Sequence, residues 1–150
     1  MTMTREVMDD GAIRMKDLDG CIILSRLAPA VVLISFTGQD KGQFGDMVFA
    51  ELAKEMARHG VIEIFIDTRE ALNALVPVTN QWSDWLHANQ KGLKHVSVLV
   101  ASKFVELTAG VMKLLSRTGS LMRIYTHAPS FSDAIAQMTG RPFVLGPPRT

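Results

Sequence analysis

Apolar residues along this chain alternate between two patterns. Short, nearly unbroken runs rich in β-branched side chains occupy Cys21–Leu27, Ala30–Phe36, Val61–Asp67, His95–Ala101 and Leu121–Thr126. Runs of that length and composition predict buried strands. Between them lie longer stretches in which apolar residues recur every three or four positions, the helical spacing. Phe44–His59 carries Phe44, Val48, Leu52 and Met56 on one stripe and ends at Gly60. Val78–Gln90 places Trp82, Trp85 and Leu86 together, with Thr79 or Asn80 as a cap. Ser102 is a natural N-cap for a helix reaching Arg117, whose stripe of Phe104, Leu107, Val111, Leu114 and Leu115 predicts a buried face. Ser130 and Asp133 have capping spacing and open a last helix that Gly140 stops.

Only Pro29 and its neighbours separate the first two runs, too few residues for a crossover helix, so they predict an antiparallel hairpin. Helices then separate the remaining strands, the arrangement of parallel βαβ units. The expected fold is therefore α/β, in the order β-β-α-β-α-β-α-β-α, with a mixed five-stranded sheet. Residues 1–17 mix charges and methionines without a period and are expected to be a flexible N-terminal arm; 18–141 form the domain, and 142–150 a C-terminal tail. Residues 68–70 read as a polar break, and Ala71, Leu72, Leu75 and Val76 as a short turn or connection.

Composition narrows the function classes. A net charge of +1 argues against nucleic acid as a partner. The charge is uneven, since Lys103, Lys113, Arg117, Arg123, Arg141 and Arg149 face only Glu106 and Asp133 in the last third of the chain. The single Cys21 lies in an apolar run and excludes an internal disulfide, as expected of a cytoplasmic protein. No apolar run is long enough to predict an integral membrane segment.

Candidate chemistry is sparse. The histidines at 59, 87, 95 and 127 have no metal-ligand spacing, so neither a metal nor a cofactor is expected. Gly38, Gly42 and Gly45 follow a strand and precede a helix, but their spacing matches no phosphate-binding loop. Asp67 ends the most apolar strand, where ligands gather in open α/β sheets, and with His127 could form an acid–base pair. On topological grounds Asp67, Thr68, Thr79, Trp82, Trp85, Ser102 and Lys103 are expected to share one edge, at the ends of neighbouring parallel strands.

The hairpin-first order, with the strand Ile62–Asp67, the helix Phe44–Arg58 and the strand Val96–Ala101, resembles the STAS family of anti-sigma factor antagonists and sulfate-transporter cytoplasmic domains. It looks closest to a divergent bacterial branch with likeness to Sec14-type lipid-binding domains. The resemblance implies a non-catalytic regulatory or scaffold module that contacts a protein partner and is compatible with a homodimer. A carrier or sensor of a small apolar or anionic ligand is the alternative, and an enzyme using Asp67 a third. Family antagonists carry a phosphorylated hydroxyl in a D-S-[ST]-G motif. Here Leu75-Val76-Pro77-Val78-Thr79-Asn80 stands instead, and Thr79 is the nearest hydroxyl to that phosphorylation site.

Overall fold

The computed structural model describes residues 3–74 and 76–148. Its core is one seven-stranded sheet in the order β1-β2-β3-β4-β5-β6-β7, which is also chain order. The strands are β1 (Thr4–Val7), β2 (Ile13–Lys16), β3 (Gly20–Ala28), β4 (Val31–Asp40), β5 (Ile62–Ala74), β6 (Leu93–Leu99) and β7 (Met122–Tyr125). Pairing is antiparallel from β1 to β4 and parallel from β4 to β7. The helices are α1 (Met47–His59), α2 (Val76–Asn89), α3 (Lys103–Ser116) and α4 (Ala128–Thr139).

The expected hairpin and the three βαβ units are present, but the sheet has seven strands rather than five. The two additional strands fall in the segment expected as an arm. Their side chains are mostly exposed, apart from Met15, which is buried, so they carry little hydrophobic periodicity. Backbone pairing places them in the sheet: β2 pairs with β3, Ile13 opposite Leu24 and Lys16 opposite Cys21, and β1 pairs in turn with β2.

Strand β5 also outruns its predicted end. After Asp67, which pairs with Leu99 at the end of β6, it continues beside β4 as far as Ala74 opposite Asp40. That overhang lacks a neighbour on the β6 side, so polar residues such as Arg69 and Glu70 are tolerated there. The turn expected around Ala71 and Leu72 is therefore strand; Leu75 lies outside the described residues, as do Met1, Thr2, Arg149 and Thr150. Gly38 belongs to β4 rather than a loop. It lies opposite Gly20, and a Cβ on Gly38 would stand 2.3 Å from the Asp19 carbonyl oxygen, so the two chains approach too closely for a side chain.

Alternation along β5 divides the core in two. Ile62, Ile64 and Ile66 face α1, α2 and α3, packing with Val48, Leu52, Val78, Trp82 and Leu86. Phe65 faces α4, meeting Phe131 edge-on with ring centroids 5.5 Å apart. Helix α2 starts earlier than Thr79, with Pro77 in its first turn, where the missing N–H costs nothing. Helix α4 likewise starts at Ala128, before Ser130. Ser102 caps α3 as expected, its hydroxyl accepting from the Val105 amide at 3.1 Å.

The orientation of α3 reverses the expected one. Phe104, Leu107, Val111, Leu114 and Leu115 point outward; Leu107 is 70% exposed and Leu114 78%. The face turned to the sheet carries Val105, Ala109, Met112 and Ser116 instead. Those positions also repeat at helical spacing, so α3 has two candidate stripes. The stripe that packs inward buries the small residues Ala109 and Ser116, and the Ser116 carbonyl lies 3.0 Å from His87 Nδ1 of α2.

Candidate functional site

The strand alternation that builds the core also separates the residues expected to form one site. Asp67 and Thr68 are adjacent in β5 and so project to opposite faces of the sheet. Thr68 joins the helix-covered face, where its hydroxyl donates to the Leu99 carbonyl at 2.6 Å. There it borders a cavity of about 100 Å³ beneath α2 and α3, whose walls include Phe36, Ile66, Val98, Trp82 and Met112. Thr79 and Phe104 complete the rim on the helix side, and Asp40 stands at the end of β4. A space of this size accepts a single bulky apolar group.

The chemistry of this cavity favours an apolar guest. Burial pushes the Asp40 carboxyl upward, although the Gly42 amide donates to it at 2.9 Å and works the other way. A carboxyl at the rim opposes an anion. Burial also raises the Cys21 thiol, which borders the same space, and so disfavours its thiolate.

Of the two tryptophans, Trp82 lines the cavity and Trp85 does not. Both pack on Phe49 of α1, at centroid separations of 4.8 Å and 5.3 Å, so they anchor α2 to α1. Thr79 is buried within the first turn of α2, and its carbonyl accepts the Ser83 hydroxyl at 2.8 Å. Ser102 is engaged as the α3 cap, and Lys103 is fully in solvent with its ammonium 3.5 Å from Glu106.

Asp67 lies on the opposite face in a second, more polar cleft of about 450 Å³, bordered by Ser25, Ser35, Leu33 and the 143–148 segment. Its carboxylate is only 1% exposed. It accepts from the Arg69 amide at 3.1 Å, from Arg69 Nε at 3.0 Å and from Arg69 Nη2 at 2.8 Å. Those bonds hold the Arg69 guanidinium above its ordinary pKa. Arg69 Nη2 also donates to the Gly146 carbonyl at 2.7 Å and ties the C-terminal segment to the sheet. The carboxylate is thus a clamp rather than a free base, and His127 hydrogen-bonds Ser130 at 2.8 Å at the start of α4.

Sequence reasoning missed two groups here. One is Arg69, which alternation along an extended strand would have placed on the Asp67 side. The other is the line Glu63–His95–Arg123 across three parallel strands: Glu63 lies opposite His95, and Arg123, opposite Ser97, reaches back to His95 along the same face. Arg123 Nη2 lies 2.8 Å from His95 Nε2, and His95 Nδ1 lies 3.2 Å from Glu63 Oε2. A guanidinium only donates, so Nε2 accepts and Nδ1 carries the proton toward Glu63. Burial raises the Glu63 carboxyl, with His95 acting against it. Among the described residues, no three histidine, cysteine, aspartate or glutamate side chains are grouped to hold a metal ion.

Solved structures similar to this chain in fold include two at low sequence identity. One is an uncharacterised protein of the DUF3478 family with a SpoIIAA-like fold from Shewanella loihica PV-4, at TM-score 0.59 and 15% identity, covering 79% of this chain and 96% of that one. The other is the anti-sigma factor antagonist SpoIIAA in its unphosphorylated form, at TM-score 0.53 and 17% identity, with the same coverage of both chains. The fold is STAS-like. No family model matches the sequence, and no curated protein matches it. Among the described residues of this STAS-like chain, no helix is long and apolar enough to cross a membrane.

Proposed function

We propose that this STAS-like chain is a non-catalytic regulatory module that acts by docking a protein partner, with the outward face of α3 as the docking surface. The observation that carries the reading is the row Phe104, Leu107, Val111, Leu114 and Leu115, five large apolar side chains left in solvent on one helix. Contiguous apolar surface of that kind marks an interaction site. The likeness to a protein named as an anti-sigma factor antagonist supports a role exerted on another protein. A cytoplasmic, bacterial setting fits that role. Thr79 is a phosphorylation site only in a state where α2 lifts, because its side chain is buried.

A second reading rests on a separate observation. The apolar cavity beneath α2 and α3 suits a carrier or sensor of a small apolar ligand, held by Trp82 and Met112 and closed by Thr68 and Thr79. Native mass spectrometry of the protein freshly purified from the cells that make it separates the two. The expected spectrum shows the chain joined to a second protein. A retained small-molecule mass and no protein would favour the carrier, and a bare monomer would count against both.

A further inference from the structure

We infer that the element which covers α3 is an amphipathic helix of another protein, apolar along one face and acidic along one flank, with one bulky side chain seated in the cavity beside Phe104. This inference rests on the docking surface proposed above and names its partner's chemistry.

The spacing comes first. Positions 104, 107, 111, 114 and 115 follow the seam that one helix presents to another lying along it. Gly110 lies at the edge of that seam, and a Cβ built there would meet nothing within 4 Å, so a partner backbone can approach closely. Phe104 belongs both to the seam and to the cavity wall. A side chain reaching past Phe104 therefore enters the cavity, and filling a pocket with one anchor is how helix-in-groove interfaces concentrate their affinity.

Charge then selects among occupants. At about 100° per residue, Lys103 and Lys113 project along one flank of the seam, and Arg117, the left-handed cap just past Ser116, adds a cation at its C-terminal end. Glu106, the one acid of α3, lies on that flank and is already near Lys103, at 3.5 Å. The flank therefore keeps an excess of positive charge, which complements acidic side chains. A second copy of this chain fits poorly. Laid antiparallel, it would bring Lys103 against the other copy's Arg117, and laid parallel, Lys113 against its counterpart. A flat anionic lipid surface also meets Glu106 of α3 and the Asp40 carboxyl, which lines the cavity together with Phe104, whereas a single helix places its own charges and avoids them.

The test uses the full chain and two labelled synthetic peptides of about 20 residues, long enough to become helical on binding. Both carry leucines at the seam spacing; one has glutamates and the other lysines on the flanks. Fluorescence anisotropy is expected to show at least about tenfold tighter binding of the glutamate peptide, with a shift in emission from Trp82 as the cavity fills. Leu107→Glu should weaken it about tenfold or more, and Lys103→Glu with Lys113→Glu should remove the preference for glutamate. Equal binding of the two peptides, no binding of either, or indifference to Leu107→Glu overturns the inference. So does binding to phosphatidylglycerol vesicles without peptide binding, or a dimer that Leu107→Glu dissociates. If the peptides fail while the native complex holds a protein released by Leu107→Glu, only the helical, acidic partner is wrong. If the native chain holds a small molecule and no protein, the docking reading itself falls.

Discussion

Ile64→Ala is expected to lower the free energy of unfolding by about 2–5 kcal/mol, measured by urea denaturation. Ile64 is fully buried in the middle of β5, flanked by Val32 of β4 and Val96 of β6 and covered by the helices above. Truncation removes three methyl or methylene groups and leaves a cavity in a sheet centre that strands on both sides hold rigid. Little relaxation is available there, which places the expected loss in the upper half of the range. A midpoint equal to that of the unmodified chain would mean that β5 does not form the centre of the sheet.

Asp67→Asn is expected to cost about 1–3 kcal/mol, through the charge-assisted bonds lost from Arg69. The carboxylate is buried, but the Arg69 side chain is 23% exposed, so water recovers part of what the guanidinium loses. For that reason the cost falls below the value of about 3–5 kcal/mol for breaking a fully buried pair. Arg69 also holds the Gly146 carbonyl, so the 143–148 segment should become more sensitive to protease in the same variant. An unchanged denaturation midpoint and an unchanged cleavage rate would show that the Asp67–Arg69 clamp does not operate in solution.

How much of this was legible in the sequence depended on which interaction placed each element. The strands around Ile22–Leu24, Val31–Ile34, Ile64–Ile66 and Val96–Leu99 announce themselves because both their faces are buried, and the caps at Ser102, Gly60 and Gly140 follow from local backbone chemistry. Strand β2 is held by backbone pairing to β3, and β1 by pairing to β2, rather than by an apolar pattern, so no periodicity revealed them. The overhang of β5 past Asp67 is hidden for the same reason.

The candidate site was legible residue by residue but not in its grouping. Strand ends at the same edge of a sheet suggested one site, yet the two-residue period sends Asp67 and Thr68 to opposite sides. Helix α3 shows a further limit. It carries two stripes at helical spacing, and only tertiary packing, which buries the small residues Ala109 and Ser116, decides which faces inward.

That decision is the central claim, and thermal melting of the Leu107→Glu/Leu114→Glu double variant tests it most directly. With both side chains in solvent, the variant should unfold within about 0.5 kcal/mol per substitution of the unmodified chain, as surface changes do. A loss of several kcal/mol, or failure to fold, would show that these leucines are core and that α3 has no outward apolar face to offer a partner.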